Sequence, residues 1–272
     1  MTVSSPEPEA LFAPDGGRLV PSEHTRGPWD PRHQHGGPVA ALVARAVEAE
    51  VGSGFTVTRL TIELQRPVPL TPLTVTAQVT KPGRRVVRAE VALATEDETV
   101  VQATAVAIRH ADLPVGGEAP DDGRATVPGP GPDDGVPLGF GVIDEGPVFH
   151  RTGMDVRIVA GEPGRAGPAR AWFRLARPVV AGEEPSGLQR AAAAADFSNG
   201  LSWVLPYERW IFVNPDLTVH LARPPEGEWI LLDARTLVSD QGTAMAEGTL
   251  YDRAGQVGRS VQSLILEPRV AP

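Results

Sequence analysis

The chain has 272 residues, of which 41% are hydrophobic and 22% charged, a balance suited to a globular protein with ample core. Thirty-four acidic residues against 25 basic ones give a net charge of -9, and no Lys/Arg-rich block occurs, which argues against nucleic acid as a partner. Cysteine is absent, which excludes disulfides, thiolate metal sites and a cysteine nucleophile. That absence, the lack of a basic, apolar N-terminal signal and the lack of any apolar run of about 18 residues point to a cytoplasmic protein with no membrane span.

Residues 1 to about 10 read as poorly ordered. The HQH segment at His33 and His35 reads as a loop, with no further ligands converging on a metal. A helix follows over GPVAALVARAVEAEV, with Gly37 as its expected cap and Pro38 at its first position. Four segments rich in Val, Thr, Ile and Leu come next: FTVTRLTIELQRP, LTVTAQVT, RVVRAEVALAT and TVVQATAVAIR. Their alternation, broken by KPGRR and EDET turns, predicts an antiparallel meander.

Residues 111 to 137 are rich in Pro, Gly and Asp and have neither period, so they read as a linker between an N-terminal unit (1–110) and a C-terminal unit (138–272). The second unit repeats the first. A helix begins at a capping box, Ser186 with Gln189, and stops before Pro206. LTIELQRP at Leu60 to Pro67 then matches LTVHLARP at Leu217 to Pro224, an offset of 157, and Glu90 matches Glu247 with the same offset. A second turn three residues longer would align Gln102 with Gln262. Two copies about 160 residues apart are a tandem duplication, each copy an α+β unit of one long helix wrapped by a curved antiparallel sheet.

Asp196 ends the run Ala191 to Ala195, where a helix interior is expected. Burying an unpaired carboxylate is costly, so it either bonds to polar partners or caps a helix break around DFSNG. Gln262 alternates with Leu264 and Leu266 on its strand, so it lies on an apolar face where it needs partners or marks a sheet edge.

The order and spacing of HGGPVAALVARA, RLTIELQRPVPL, KPGRRVVRAEV, ADFSNGLS, NPDLTVHLARP and SVQSLILEP resemble the bacterial type II acyl-CoA thioesterases and related thioesterase-like proteins, over about residues 11 to 110 and 145 to 268. The resemblance implies a tandem double hotdog fold, an acyl-CoA substrate, no cofactor, and assembly into homo-oligomers of double-hotdog chains. It also implies hydrolysis by a water held by an Asp, a Gln and a hydroxyl residue. These positions fall on Asp196, Gln262 and Asn214, the last a departure, because an amide replaces the hydroxyl.

The first helix has no acid before Glu48, which implies one such site per chain. In that reading the helix start contributes the N–H groups of Gly37 and Val39 toward the thioester carbonyl, against the simpler alternative of a tight loop into a helix. Arg84, Arg85 and Arg88, with Lys81, form the densest basic group and are candidates for the CoA phosphates, against the alternative of a solvated turn. The competing reading of the whole is a non-catalytic hotdog protein that binds acyl thioesters or hydrophobic ligands. A hotdog hydratase is disfavoured, since Phe212 stands where that branch has an Asp. No G-x-S-x-G, P-loop or Rossmann fingerprint occurs.

Overall fold

Alternating strands such as VVRAEVALA and GQVGRSVQSLILEP bury every second side chain, which fixes one face of the sheet toward the helices. The computed structural model describes residues 9–113, 126–138, 146–162 and 164–269. Residues 1–8, where disorder was expected, and 114–125 of the expected linker lie outside the described residues.

The first unit runs β1 (Phe12–Asp15), β2 (Arg18–Pro21), α1 (Gly36–Val51), β3 (Phe55–Leu64), β4 (Thr74–Lys81), β5 (Val86–Ala94) and β6 (Thr99–Arg109). The second runs β7 (Val136–Pro137), β8 (Met154–Ala160), β9 (Ala169–Leu175), α2 (Gly187–Ala195), α3 (Ser198–Leu201), β10 (Trp210–Val213), β11 (Asp216–Leu221), β12 (Ile230–Val238), β13 (Thr243–Asp252) and β14 (Gly255–Pro268). Strand β7 falls on Val136 and Pro137, at the end of the expected linker, and pairs with β8 at the sheet edge.

One antiparallel sheet carries both units in the order β4-β5-β6-β3-β11-β14-β13-β12-β9-β8-β7, with β10 also on β14. The units meet where β3 pairs with β11. Thr61 lies opposite Thr218, and Glu63 opposite Asp216 mirrors Arg59 opposite His220. Because 218 − 61 is the 157-residue repeat offset, a pseudo-twofold axis passes through the Thr61–Thr218 pair, whose hydroxyls are 3.3 Å apart.

The same register corrects the alignment of the last strands. Thr61 faces Thr104 and Thr218 faces Val261, and Ala89 faces Ala105 as Ala246 faces Gln262. The offset therefore stays at 157, with an irregularity after Leu93 and another after Leu250, and no longer turn in the second copy. Gln262 corresponds to buried Ala105; exposed Gln102 corresponds to Arg259.

Helices α1 and α2 pack on each other beneath the sheet. Ala191 to Ala195 are all fully buried, and their small side chains let the helices approach closely. Helix α1 starts earlier than its sequence signal: the cap is His35, not Gly37. Helix α2 starts as expected, with Ser186 Oγ accepting from the Gln189 N–H at 3.1 Å. Near the C-terminal end of α1, half-buried Glu48 accepts from Ser186 Oγ (2.7 Å) and Gln189 Nε2 (3.2 Å). Among the described residues no helix is long and apolar enough to cross a membrane.

Burial holds the Glu48 carboxyl above its usual range, partly offset by the bonds from Ser186 and Gln189. The folded state then binds this proton more tightly than the unfolded chain. Stability from this group falls as pH rises from the ordinary carboxylate range through the raised value. Glu48→Gln, which keeps an acceptor for both donors, should raise the thermal midpoint at neutral pH and flatten that part of the pH dependence; a lower midpoint at every pH would contradict this.

Candidate active site

The second helix does not run on to Pro206. It ends at Asp196, and after Phe197 the chain makes only the short α3. Both sequence readings of Asp196 meet in this geometry, because it is the C-terminal cap of α2 and its carboxylate also enters a polar cluster. Its side chain is 4% exposed.

Three side chains converge on that carboxylate. Asn214 Nδ2 donates to Oδ1 at 3.0 Å and Gln262 Nε2 donates to the same oxygen at 3.2 Å. Gln262, 0% exposed, also donates to the Asp196 carbonyl at 3.2 Å and accepts from the Asn199 N–H at 3.2 Å. The third is His35, whose Nδ1 lies 2.8 Å from Oδ2. A carboxylate has about four acceptor positions, and these contacts use three of them.

The approach of α1 depends on Gly36. A Cβ there would lie 2.5 Å from Asp196 Oδ1, and one on Gly37 would lie 2.5 Å from the Phe149 ring, so paired glycines allow the helix start to sit against the acid. His35 is held by rings, stacked on Phe197 at 4.7 Å between centroids and 5.2 Å from Phe149. Trp29, Tyr207 and Phe212 form an adjoining aromatic group, with Phe212 edge-on to Trp29 at 5.3 Å and 4.7 Å from Tyr207. Burial pushes the Tyr207 phenol up, so it stays neutral.

One atom of His35 has two claimants. Nδ1 is 3.0 Å from the Gly37 N–H as a helix cap, and 2.8 Å from Asp196 Oδ2. In the tautomer with its proton on Nδ1, the imidazole donates to Oδ2 and Nδ1 has no lone pair left for Gly37, whose N–H is then free to bind another acceptor. Nearby His150 is buried and pushed down to about 3, first by burial and then by His35, Arg151 and Arg26, so it is neutral at pH 7.

Other residues singled out in the sequence lie elsewhere. Val39 is the fourth residue of α1, so its N–H bonds inward to the carbonyl of the cap, and the open donors of the first turn are those of Gly36 and Gly37. Arg84, Arg85 and Arg88 are exposed at the β4–β5 turn, where Arg85 O and Arg84 O accept from Arg109. Arg109 faces Phe55 at the start of β3, whereas at its end the Leu64 N–H donates to the carbonyl of Pro215, next to Asn214. The strand between them spans about 30 Å at ~3.3 Å per residue, so the arginines are not brought to Asp196. His33 faces Asp30 while His35 faces Asp196, and no cluster of three potential metal ligands occurs among the described residues.

The sequence reading missed His35 as a partner of the acid. Its signal was present: it stands directly before the Gly-Gly of the helix start, which has to pack closely against something.

Two family models cover most of the chain. Residues 25–108 match the acyl-CoA thioesterase N-terminal domain and residues 120–266 the acyl-CoA thioesterase C-terminal domain. No curated protein sequence matches. Among solved structures, a thioesterase-type protein from Novosphingobium aromaticivorans is similar at TM-score 0.71 and 22% identity, covering 94% of this chain and 98% of that one. A hot dog fold protein from Alicyclobacillus acidocaldarius gives 0.70 and 17%, covering 95% and 96%. An acyl-CoA thioesterase II from Mycobacterium marinum gives 0.62 and 18%, covering 85% and 90%. At these identities the structures establish the α+β double hotdog fold, and with both halves matched by the family models the chain belongs to the acyl-CoA thioesterase family.

Proposed function

We propose that the protein hydrolyses acyl-CoA thioesters with a water activated by Asp196 and oriented by Gln262 and Asn214. The observation that carries this reading is the convergence of both amides and His35 on one buried carboxylate beside a helix start.

The water attacks the thioester carbonyl carbon while Asp196 accepts its proton. Charge developing on the carbonyl oxygen is met by the N–H groups of Gly36 and Gly37, the latter free when the His35 proton sits on Nδ1. The tetrahedral intermediate collapses by breaking the C–S bond, and the thiolate takes the proton back from Asp196. Free acid and CoA leave, and the carboxylate is restored. Asn214 stands where the resemblance places a hydroxyl; its Nδ2 holds Asp196 Oδ1 at 3.0 Å and its side-chain oxygen accepts from the water. Arg84, Arg85 and Arg88, at the other end of β3, do not touch the reacting carbonyl.

The alternative, a hotdog protein that binds acyl thioesters without turnover, is separated by release of free CoA from purified protein. Asp196→Asn should lower kcat/KM by ~10² to 10⁴-fold with the fold intact, the usual contribution of a general base. Equal rates in wild type and variant would remove Asp196 from the mechanism, and tight acyl-CoA binding without any CoA release would favour the binding protein.

Gly36→Ala places a methyl group against the carboxylate. Activity should drop by about 10²-fold, as expected for a displacement near 1 Å. Unchanged kcat/KM would show that the helix start need not touch the acid. His35→Phe keeps the ring stack but removes Nδ1, and should cost about ten- to hundredfold in kcat, the worth of a hydrogen bond to a charged group.

A further inference from the structure

The rim of the site carries cations that the reacting centre does not use. Strand β10 leads from them to Asn214, and it pairs with the end of β14 so that Trp210 stands opposite Pro268. One step beyond, the Arg269 N–H donates to Arg209 O at 2.8 Å, which sets two arginines opposite each other. Both are exposed, and neither forms an ion pair among the described residues, not even with the neighbouring Glu208 and Glu267. Like charges opposite each other across an antiparallel pair are unfavourable. In a chain whose 34 acidic residues outnumber 25 basic ones, two arginines left together without a carboxylate are a place for an anion from outside.

Arg269 is also held in position. Its guanidinium lies over the Trp29 ring, 5.6 Å from the centroid, and its Nε donates to the Tyr207 carbonyl at 2.6 Å. The two terminal amino groups remain, a fork suited to phosphate oxygens. Trp29 comes from the loop before α1 and packs edge-on against Phe212, two residues before Asn214. The guanidinium is thus fixed by residues of both halves, beside the reacting centre.

We infer that Arg209 and Arg269 form the binding site for the diphosphate of CoA. This rests on the proposed hydrolysis, and it adds how the leaving half of the substrate is held. The lengths agree. Arg209 is five residues before Asn214, about 16 Å along the chain at ~3.3 Å per extended residue. The pantetheine arm between the thioester sulfur and the diphosphate has the length of about four extended residues, roughly 14 Å. With the carbonyl at Asp196, the diphosphate reaches the arginine pair, and the long guanidinium side chains close the remaining gap.

The test compares octanoyl-CoA with S-octanoyl-pantetheine, which has the same reacting end and no diphosphate, by release of free thiol. Wild type should favour the CoA thioester in kcat/KM, chiefly through KM, and added salt should shrink the advantage. Arg209→Gln combined with Arg269→Gln should cut the ratio of the two kcat/KM values by about tenfold or more, the worth of a hydrogen bond to a charged group. Because the ratio is taken within one variant, a general disturbance of the site cancels. Octanoyl-dephospho-CoA, which keeps the diphosphate, should retain the part of the advantage that depends on the two arginines; its loss would overturn the assignment to the diphosphate. An unchanged ratio in the double variant would overturn the inference, and a fall seen instead in Arg84→Gln with Arg85→Gln would move the phosphates to the β4–β5 turn. Should no thioester be hydrolysed, the proposed function fails separately. Calorimetry with CoA alone then decides the site: weaker binding by the double variant supports it, and equal binding overturns it.

Discussion

The pairing of β3 with β11 sets the geometry on which everything else rests. Two sheets that each curve around a helix would leave an edge strand open, and an open edge is a template for association with other chains. Joining the edges antiparallel, with Thr61 opposite Thr218, closes both at once and makes the halves one sheet. It also forces α1 and α2 to lie against each other in pseudo-twofold relation, so the start of each helix meets the end of the other. His35 and Gly36 meet Asp196 at one crossing; Ser186 and Gln189 meet Glu48 at its counterpart.

Symmetry of the backbone is not matched by symmetry of the chemistry. At the first crossing the acid ends its helix, leaving its carboxylate beside two amides and an imidazole. With the helices aligned on their caps, Asp196 corresponds to Arg45, which is spent on Glu183 at 2.5 Å. The β-register places Ala105 where Gln262 stands, and the same 157-residue offset places Val57 at the position of Asn214. The counterpart crossing thus keeps a carboxylate in Glu48 but satisfies it with a cap hydroxyl and a side-chain amide. Duplication within one chain permits this, because each copy can change without altering the other.

What was legible in the sequence follows from which features are local. Strand alternation, turn punctuation and the 157-residue repeat are local or periodic, and the strands of the first unit appear where alternation places them. The misalignment of Gln102 with Gln262 came from matching identical letters, whereas pairing follows face and register, and a one-residue slip would turn the strand inside out. The start of α1 was placed two residues late because Gly37 and Pro38 carry strong helix-start statistics, while a histidine cap does not. Charge density picks out Arg84, Arg85 and Arg88, but density along the chain does not say how far a turn lies from Asp196. His35 and Asn199 were overlooked for the same reason: their partners are 161 and 63 residues away, and only the fold brings them together.

Asn214, where the resemblance places a hydroxyl residue, is best understood through the cluster as a whole. A buried polar network is stable when each member is satisfied, and costly when one is not. Asp196 Oδ1 needs donors from outside its helix, and at the turn from β10 into β11 the Asn214 amide supplies one while also reaching the Asp216 carbonyl at 3.4 Å. A hydroxyl has one proton and could not meet both acceptors. The amide therefore ties the acid to the strand that carries the pseudo-twofold pairing, so the position of the carboxylate is coupled to the same contact that joins the two halves. The Asp196 carboxylate is held by the sheet as well as by the helix that bears it.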